Sequence, residues 1–382
     1  MHKKSRVLFL TNMLMPYRVP LFNRLSHDVN FRVVALAESE ANRQWRISKD
    51  EVDFDYQQIA GWHVFIWRWE LPIHLNWGVG AALRRYKPDV IIVSGYDTVA
   101  YWRAFLYTRI HKKRFILYNE STLLSTTYTK GVIGFLKRFI IRHADTCVVP
   151  GEKAREYMDS FGAESEKIVS GIATCDMDFF HHAALRYREL PGFLMERKKY
   201  PELLLLFVGQ LIPRKGVTEI LRALFRLKDA DIGLLIVGSG PQEEELAQFC
   251  REHRLNNVYF EGYQQQDTLL RYYALADVLI LPSLEEVWGL VVNEALASGL
   301  FVLCSDRAGA GYDLITEGWN GRLFDLRDGD RLAALIQETK DYIEEIKARR
   351  DAISEQSCRD FSIERAARGF LDAIAAVQHN GA

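Results

Sequence analysis

Short runs of almost unbroken apolar residues recur along the first half of the chain, at 6–11, 31–36, 89–93, 114–118 and 146–149. Each is too short for a buried helix and lacks the alternation of a half-exposed strand. Each therefore predicts a strand buried on both faces, as in a parallel sheet. Stretches of polar or amphipathic sequence separate most of them. After residue 200 the alternation restarts, with runs at 203–208, 233–237, 257–260, 277–281 and 300–303. Strands alternating with helices, twice in tandem, predict an α/β protein of two Rossmann-like, doubly wound parallel-sheet domains. Two such domains facing a cleft bind ligands at the C-terminal ends of their strands.

The pattern is interrupted near 172–200, at Cys175-Asp176-Met177-Asp178 and at Pro191-Gly192, which predicts a hinge. The expected division is an N-terminal domain over 1–185, a second over 186–360, and a terminal segment, 361–382. In that last segment Ser362 would cap a helix from Ile363 to about Val377. A further amphipathic helix is predicted over Gly131–His143. Its Val132, Phe135, Leu136 and Phe139 accompany Lys130, Lys137, Arg138 and Arg142, so it either covers the sheet or meets a membrane. The aromatic block Trp62, Phe65, Trp67, Trp69 and Trp77 alternates at 65, 67 and 69 like one face of a strand. It reads as core packing or as a sugar platform.

Composition narrows the class. The 382 residues are 48% hydrophobic and 26% charged, as in a soluble globular protein of two domains. The N-terminus runs directly into a strand-like segment, too short for a signal core and cleavage site. No apolar run approaches the roughly 20 residues that span a bilayer. Five scattered cysteines without metal-ligand spacing imply a reducing, cytoplasmic compartment and no zinc site. A net charge of −1 hides an asymmetry. Residues 1–190 hold 27 Lys+Arg against 20 Asp+Glu, and the remainder 22 against 30. The basic half is either chance clustering or a surface for an anionic membrane or a lipid pyrophosphate, at the inner face of the plasma membrane. Nucleic acid is disfavoured, because no recognised binding motif accompanies the charge.

The chemistry concentrates in Pro282-Ser283-Leu284-Glu285-Glu286-Val287-Trp288-Gly289-Leu290-Val291-Val292-Asn293-Glu294-Ala295. It follows a buried strand and turns helical near Leu290. Glu286 would lie in the loop and Glu294 one turn into the helix, on its ligand-facing side. Gly289, Leu290 and Val291 would offer backbone N–H groups between them. Carboxylates accept from sugar hydroxyls and a helix start favours phosphate, so the segment suits a sugar joined to a diphosphate. It resembles the E-x7-E signature of family 4 retaining glycosyltransferases of the GT-B fold.

That resemblance extends to Val208-Gly209-Gln210-Leu211-Ile212-Pro213-Arg214-Lys215-Gly216, which is similar to the family's G-R-L-x-x-x-K-G loop. Lys215 matches the lysine that holds the donor diphosphate. Gln210 stands where the family has arginine, and Arg214 is the substitute. The resemblance places Gly238 beside the nucleotide, Tyr263 near the base, Glu294 on the ribose hydroxyls and Glu286 on the transferred sugar. Gly309 and Gly311 would form another close-approach loop. On the N-terminal side Tyr17, Arg18, Asn119 and Glu120 are the acceptor-side candidates. Glu120 would either position the acceptor hydroxyl or cap the next helix. The family's histidine after the fourth strand is replaced by Tyr118-Asn119-Glu120-Ser121, so no catalytic histidine carries over.

The pattern Pro-Tyr-Arg-Val-Pro-Leu-Phe, with Asn-Glu-Ser later, looks like bacterial cell-surface polysaccharide enzymes. The resemblance implies a retaining hexosyltransferase using a UDP- or GDP-sugar, with Arg214, Lys215 and Glu286 catalytic and no metal or other cofactor. Its acceptor would be a lipid-linked or oligosaccharide intermediate. The alternatives are a GT-B epimerase or phosphorylase, or a non-catalytic subunit that binds a nucleotide-sugar.

Overall fold

The computed structural model describes residues 4–38, 49–66, 71–125 and 129–379. Of the predicted aromatic alternation, Trp67 and Trp69 lie outside these residues, and of Phe65 only the backbone is described. The chain divides into two compact units, residues 1–175 with 363–382, and residues 176–362. The division falls after Cys175 and not after residue 185, because the helix Met177–Glu189 packs on helices of the second unit.

The first unit is built on a seven-stranded parallel sheet. Its strands are β1 (Arg6–Thr11), β2 (Asn30–Ala35), β3 (Asp55–Gln58), β6 (Val90–Val93), β7 (Arg114–Tyr118), β8 (Thr146–Val149) and β9 (Ile168–Ser170). An antiparallel hairpin, β4 (Gly61–Ile66) and β5 (Leu71–Asn76), is inserted between β3 and β6. The sheet order is β3-β2-β1-β6-β7-β8-β9. Both faces are covered: Val7 and Phe9 belong to one core, Leu8 and Leu10 to the other. The first of these cores is closed by the helix Ile363–His379, through Ala366, Phe370, Ala373 and Val377. Those positions share one helical stripe, which is why the terminal segment joins this unit.

The second unit holds six parallel strands: β10 (Leu203–Val208), β11 (Ile232–Val237), β12 (Val258–Gly262), β13 (Val278–Leu281), β14 (Phe301–Ser305) and β15 (Gly321–Phe324). Their order is β12-β11-β10-β13-β14-β15. Leu203 to Phe207 are all fully buried, as the unbroken apolar run requires. Counted from its own first strand this is the order 3-2-1-4-5-6, the doubly wound arrangement with a reversal between β10 and β13.

Candidate functional site

Because the winding reverses at β10 and β13, the loops leaving these two neighbouring strands diverge around a shared crevice. The β10 loop carries Arg214 and Lys215, the β13 loop Glu286, although Lys215 and Glu286 are 71 residues apart in sequence. Backbone hydrogen bonds stitch the strand ends into one rim. Gly209 N–H donates to the Val237 carbonyl (3.0 Å), Leu211 N–H to Ser239 (3.0 Å), and Gly238 N–H to Gly262 (2.8 Å). Leu284 N–H donates to the Arg214 carbonyl (2.8 Å), joining the β10 and β13 loops. Glu286 N–H donates to Arg307 (3.2 Å) and Ala310 N–H to Trp288 (3.0 Å), tying in the loop after β14.

Within this rim Lys215 Nζ donates to Glu286 Oε2 as an ion pair, with only 16% and 14% of the two side chains exposed. Buried Ser283 also donates to Glu286 Oε2, at 3.4 Å. Half-buried Arg214 lies beside Lys215 in the 3-10 turn Pro213–Lys215. That turn closes on Gly216, whose φ of 70° is left-handed, and a Cβ there would sit 2.0 Å from the Pro282 carbonyl oxygen. No other residue fits so close an approach. Gly216→Ala is therefore expected to destabilise the protein by at least about 2 kcal/mol and to displace Lys215. A lowered urea midpoint together with weakened nucleotide binding would show it, and an unchanged midpoint would refute it.

Glu294 has a hydrogen-bond partner within its own unit. In the short helix Val291–Ala297 its carboxylate accepts from Tyr273 Oη at 2.5 Å. Burial pushes its carboxyl up to about 7, with the Tyr273 hydrogen bond opposing. Buried Trp288 donates through Nε1 to Asn293 Oδ1 at 3.0 Å, pinning the loop of Gly289 and Leu290 to the helix that Val291 begins. Tyr263, directly after β12, is 42% exposed. Gly238 lies against the Gly209 carbonyl, with no room for a side chain. Gly309 and Gly311 make the close approaches expected of them, a Cβ at Gly309 falling 2.3 Å from the Val287 carbonyl oxygen, but within the helix Gly309–Leu314 and not in a loop. Reasoning from sequence missed Tyr273 and Ser283. Tyr273 sits in an ordinary amphipathic helix, Gln266–Leu275, and only packing brings it to Glu294.

In the first unit Arg18 is buried, 7% exposed, and donates to Glu120 Oε1 at 2.9 Å and to Thr11 Oγ1 at 3.4 Å. Tyr118 Oη donates to the same Glu120 oxygen at 2.6 Å. Burial works against the Arg18 charge, but Tyr17, Glu120 and Tyr118 outweigh it and hold the guanidinium firmly protonated. Burial likewise raises the Tyr118 hydroxyl well above its ordinary value. Among the described residues the next helix begins at Gly131, and its N-cap is Lys130 and not Glu120. Asn119 is buried, and its Oδ1 accepts from Ser121 N–H at 2.6 Å, a turn-forming role. Tyr17, Arg18, Tyr118 and Glu120 line a small cavity closed by Gly171, Thr174 and Phe370.

Two doubly wound parallel sheets, with paired loops at the reversal of the second, define the class as the GT-B fold. Residues 195–356 match the family described as glycosyl transferases group 1, and this stretch of the chain is similar to glycosyltransferases of the family 4 kind. The glycogen synthase of Mycobacterium tuberculosis is 33% identical over 233 residues, 59% of this chain and 53% of that protein. A GDP-mannose-dependent alpha-mannosyltransferase of Corynebacterium glutamicum is 37% identical over 122 residues, 32% of this chain and 27% of that protein. The chain thus spans about a quarter to a half of these relatives' length. The structure of Anabaena HepE in complex with UDP superposes with a TM-score of 0.76 at 14% identity, covering 97% of this chain and 100% of that one.

Proposed function

We propose that the protein is a retaining glycosyltransferase that moves a hexose from a UDP- or GDP-sugar to an acceptor hydroxyl. The observation that carries the reading is the meeting of Lys215 with Glu286 where the second sheet reverses, one short helix away from Glu294. A cation and two carboxylates on a rim of backbone groups match what a sugar diphosphate presents, anionic oxygens beside hydroxyl donors. The names of similar proteins agree in kind: the fold neighbour holds UDP, and one relative is GDP-mannose-dependent.

In this reading Gly209, Arg214, Lys215 and Gly238 bind the diphosphate, Tyr263 lies near the base, and Glu294 accepts from the ribose. Glu286, with Gly289, Leu290 and Val291, takes the sugar. The C–O bond to the diphosphate breaks as the acceptor oxygen attacks the same face of the sugar. Lys215 and Arg214 balance the charge on the departing diphosphate, which takes the acceptor proton, so the scheme needs neither a dedicated protein base nor a metal. Tyr17, Arg18, Asn119 and Glu120 are assigned to the acceptor, a lipid-linked or oligosaccharide intermediate of surface polysaccharide synthesis.

Calorimetry with UDP, GDP, ADP and their hexose conjugates tests the donor assignment. One nucleotide class should bind tightly to the wild type and at least about tenfold more weakly to Glu294→Ala, the cost of a lost charged hydrogen bond. Failure of every nucleotide to bind the wild type would refute the reading.

A further inference from the structure

The helices Val99–Ile110 and Gly131–His143 of the first unit leave large apolar side chains uncovered. On the second helix Val132, Phe135, Leu136 and Phe139 are 76%, 62%, 41% and 37% exposed. Their spacing places all four on one stripe. On the first helix Leu106 and Ile110 are 57% and 66% exposed, one turn apart. The two helices are joined, since Phe139 stacks on Trp102 with centroids 6.3 Å apart and meets Phe105 at 6.0 Å. Arg109 also donates to the His143 carbonyl across the pair.

The charges around this face have one sign. Neither helix contains an aspartate or glutamate, while Arg103, Arg109, Lys137, Arg138 and Arg142 lie within them and Lys112 and Lys130 just outside. Asp145, two residues after the second helix, lies 3.8 Å from Arg109 and 3.6 Å from Arg114. Protein interfaces are depleted of lysine at their core, so an apolar stripe set among cations, on helices that carry no carboxylate, is poorly suited to another protein. It is well suited to a leaflet where acyl chains lie just beneath phosphate headgroups.

We propose that this two-helix face is a peripheral docking surface for an anionic phospholipid bilayer. Val132, Phe135 and Leu136 enter the headgroup–acyl boundary, while Lys130, Arg142 and Arg109 engage lipid phosphates. The proposal rests on the first unit alone and is independent of the donor reading.

Co-sedimentation of the full chain with vesicles of pure phosphatidylcholine, and with vesicles holding about a third phosphatidylglycerol, tests it. The wild type should bind the anionic vesicles at least about tenfold more tightly, and roughly 0.5 M salt should remove most of the difference. Phe135→Ser with Leu136→Ser should lower that binding about tenfold or more, with unfolding temperature unchanged because both side chains are exposed. Lys130→Glu, at an exposed position before the helix, should weaken binding to anionic vesicles only. Equal binding to both lipids, or an undiminished double variant, overturns the proposal. So does a concentration-dependent dimer of the wild type that the double variant loses, which would assign the face to a second copy.

Discussion

Lys215→Met should lower kcat/KM for the nucleotide-sugar by about 10²–10³, the loss seen when one preorganised group facing developing charge is removed. Two effects contribute and can be separated. Among the described residues, the variant leaves the Glu286 carboxylate, 14% exposed, with the 3.4 Å hydrogen bond from Ser283. That uncompensated charge should cost about 1–3 kcal/mol of stability. The double variant Lys215→Met with Glu286→Gln removes the stranded charge, so its urea midpoint should return toward wild type. Its turnover should not return, because the departing diphosphate would still lack its cation and the sugar would also lack the Glu286 carboxylate. Recovery of turnover along with stability would assign Lys215 a purely structural role. Glu286→Gln alone should keep nucleoside diphosphate binding, since Lys215 is then released from its partner, while losing turnover of the sugar conjugate.

The second large effect is a pH dependence of stability centred on Glu294. Its carboxyl is raised to about 7 in the folded protein by burial, from an ordinary value of 4.5. A group raised on folding binds its proton more tightly in the native state. Its stabilising contribution is therefore complete below about 4.5 and is lost as pH rises through about 7. Glu294→Gln presents a permanently neutral group of the same shape. At pH 5 variant and wild type should differ little. At pH 8 the wild type must hold a desolvated carboxylate, and the variant should be the more stable by up to about 3 kcal/mol. Urea midpoints of both proteins at the two pH values read this directly, and the comparison cancels every other titrating group. A gap that fails to open between pH 5 and pH 8 would show that the Glu294 carboxyl is not desolvated. The same variant should bind nucleotide more weakly at pH 8 despite its greater stability, as expected where a site keeps a costly charge for its ligand.

The unbroken apolar runs disclosed most of the sheets, because a parallel strand covered on both faces tolerates few polar residues. The three strands of the two parallel sheets that escaped notice, β3, β9 and β15, all lie at sheet edges. Asp55–Gln58 is entirely polar but for Tyr56, Ile168–Ser170 has only three residues, and Gly321–Phe324 carries an arginine. An edge strand has one neighbour and an open side, so burial imposes no apolar run on it. The chemistry of 209–216 and 282–295 was equally legible, because a tight turn with cations and two carboxylates at fixed spacing are local facts. Sequence by itself thus determined the two alternating α/β halves, their buried strands and the candidate residues proposed to hold a sugar diphosphate. Strand order brings Lys215 onto Glu286, and burial lifts the proton affinity of Glu294 while Tyr273 donates to its carboxylate. Only the tertiary structure decided these, because each depends on residues distant in the chain and on the water their packing excludes.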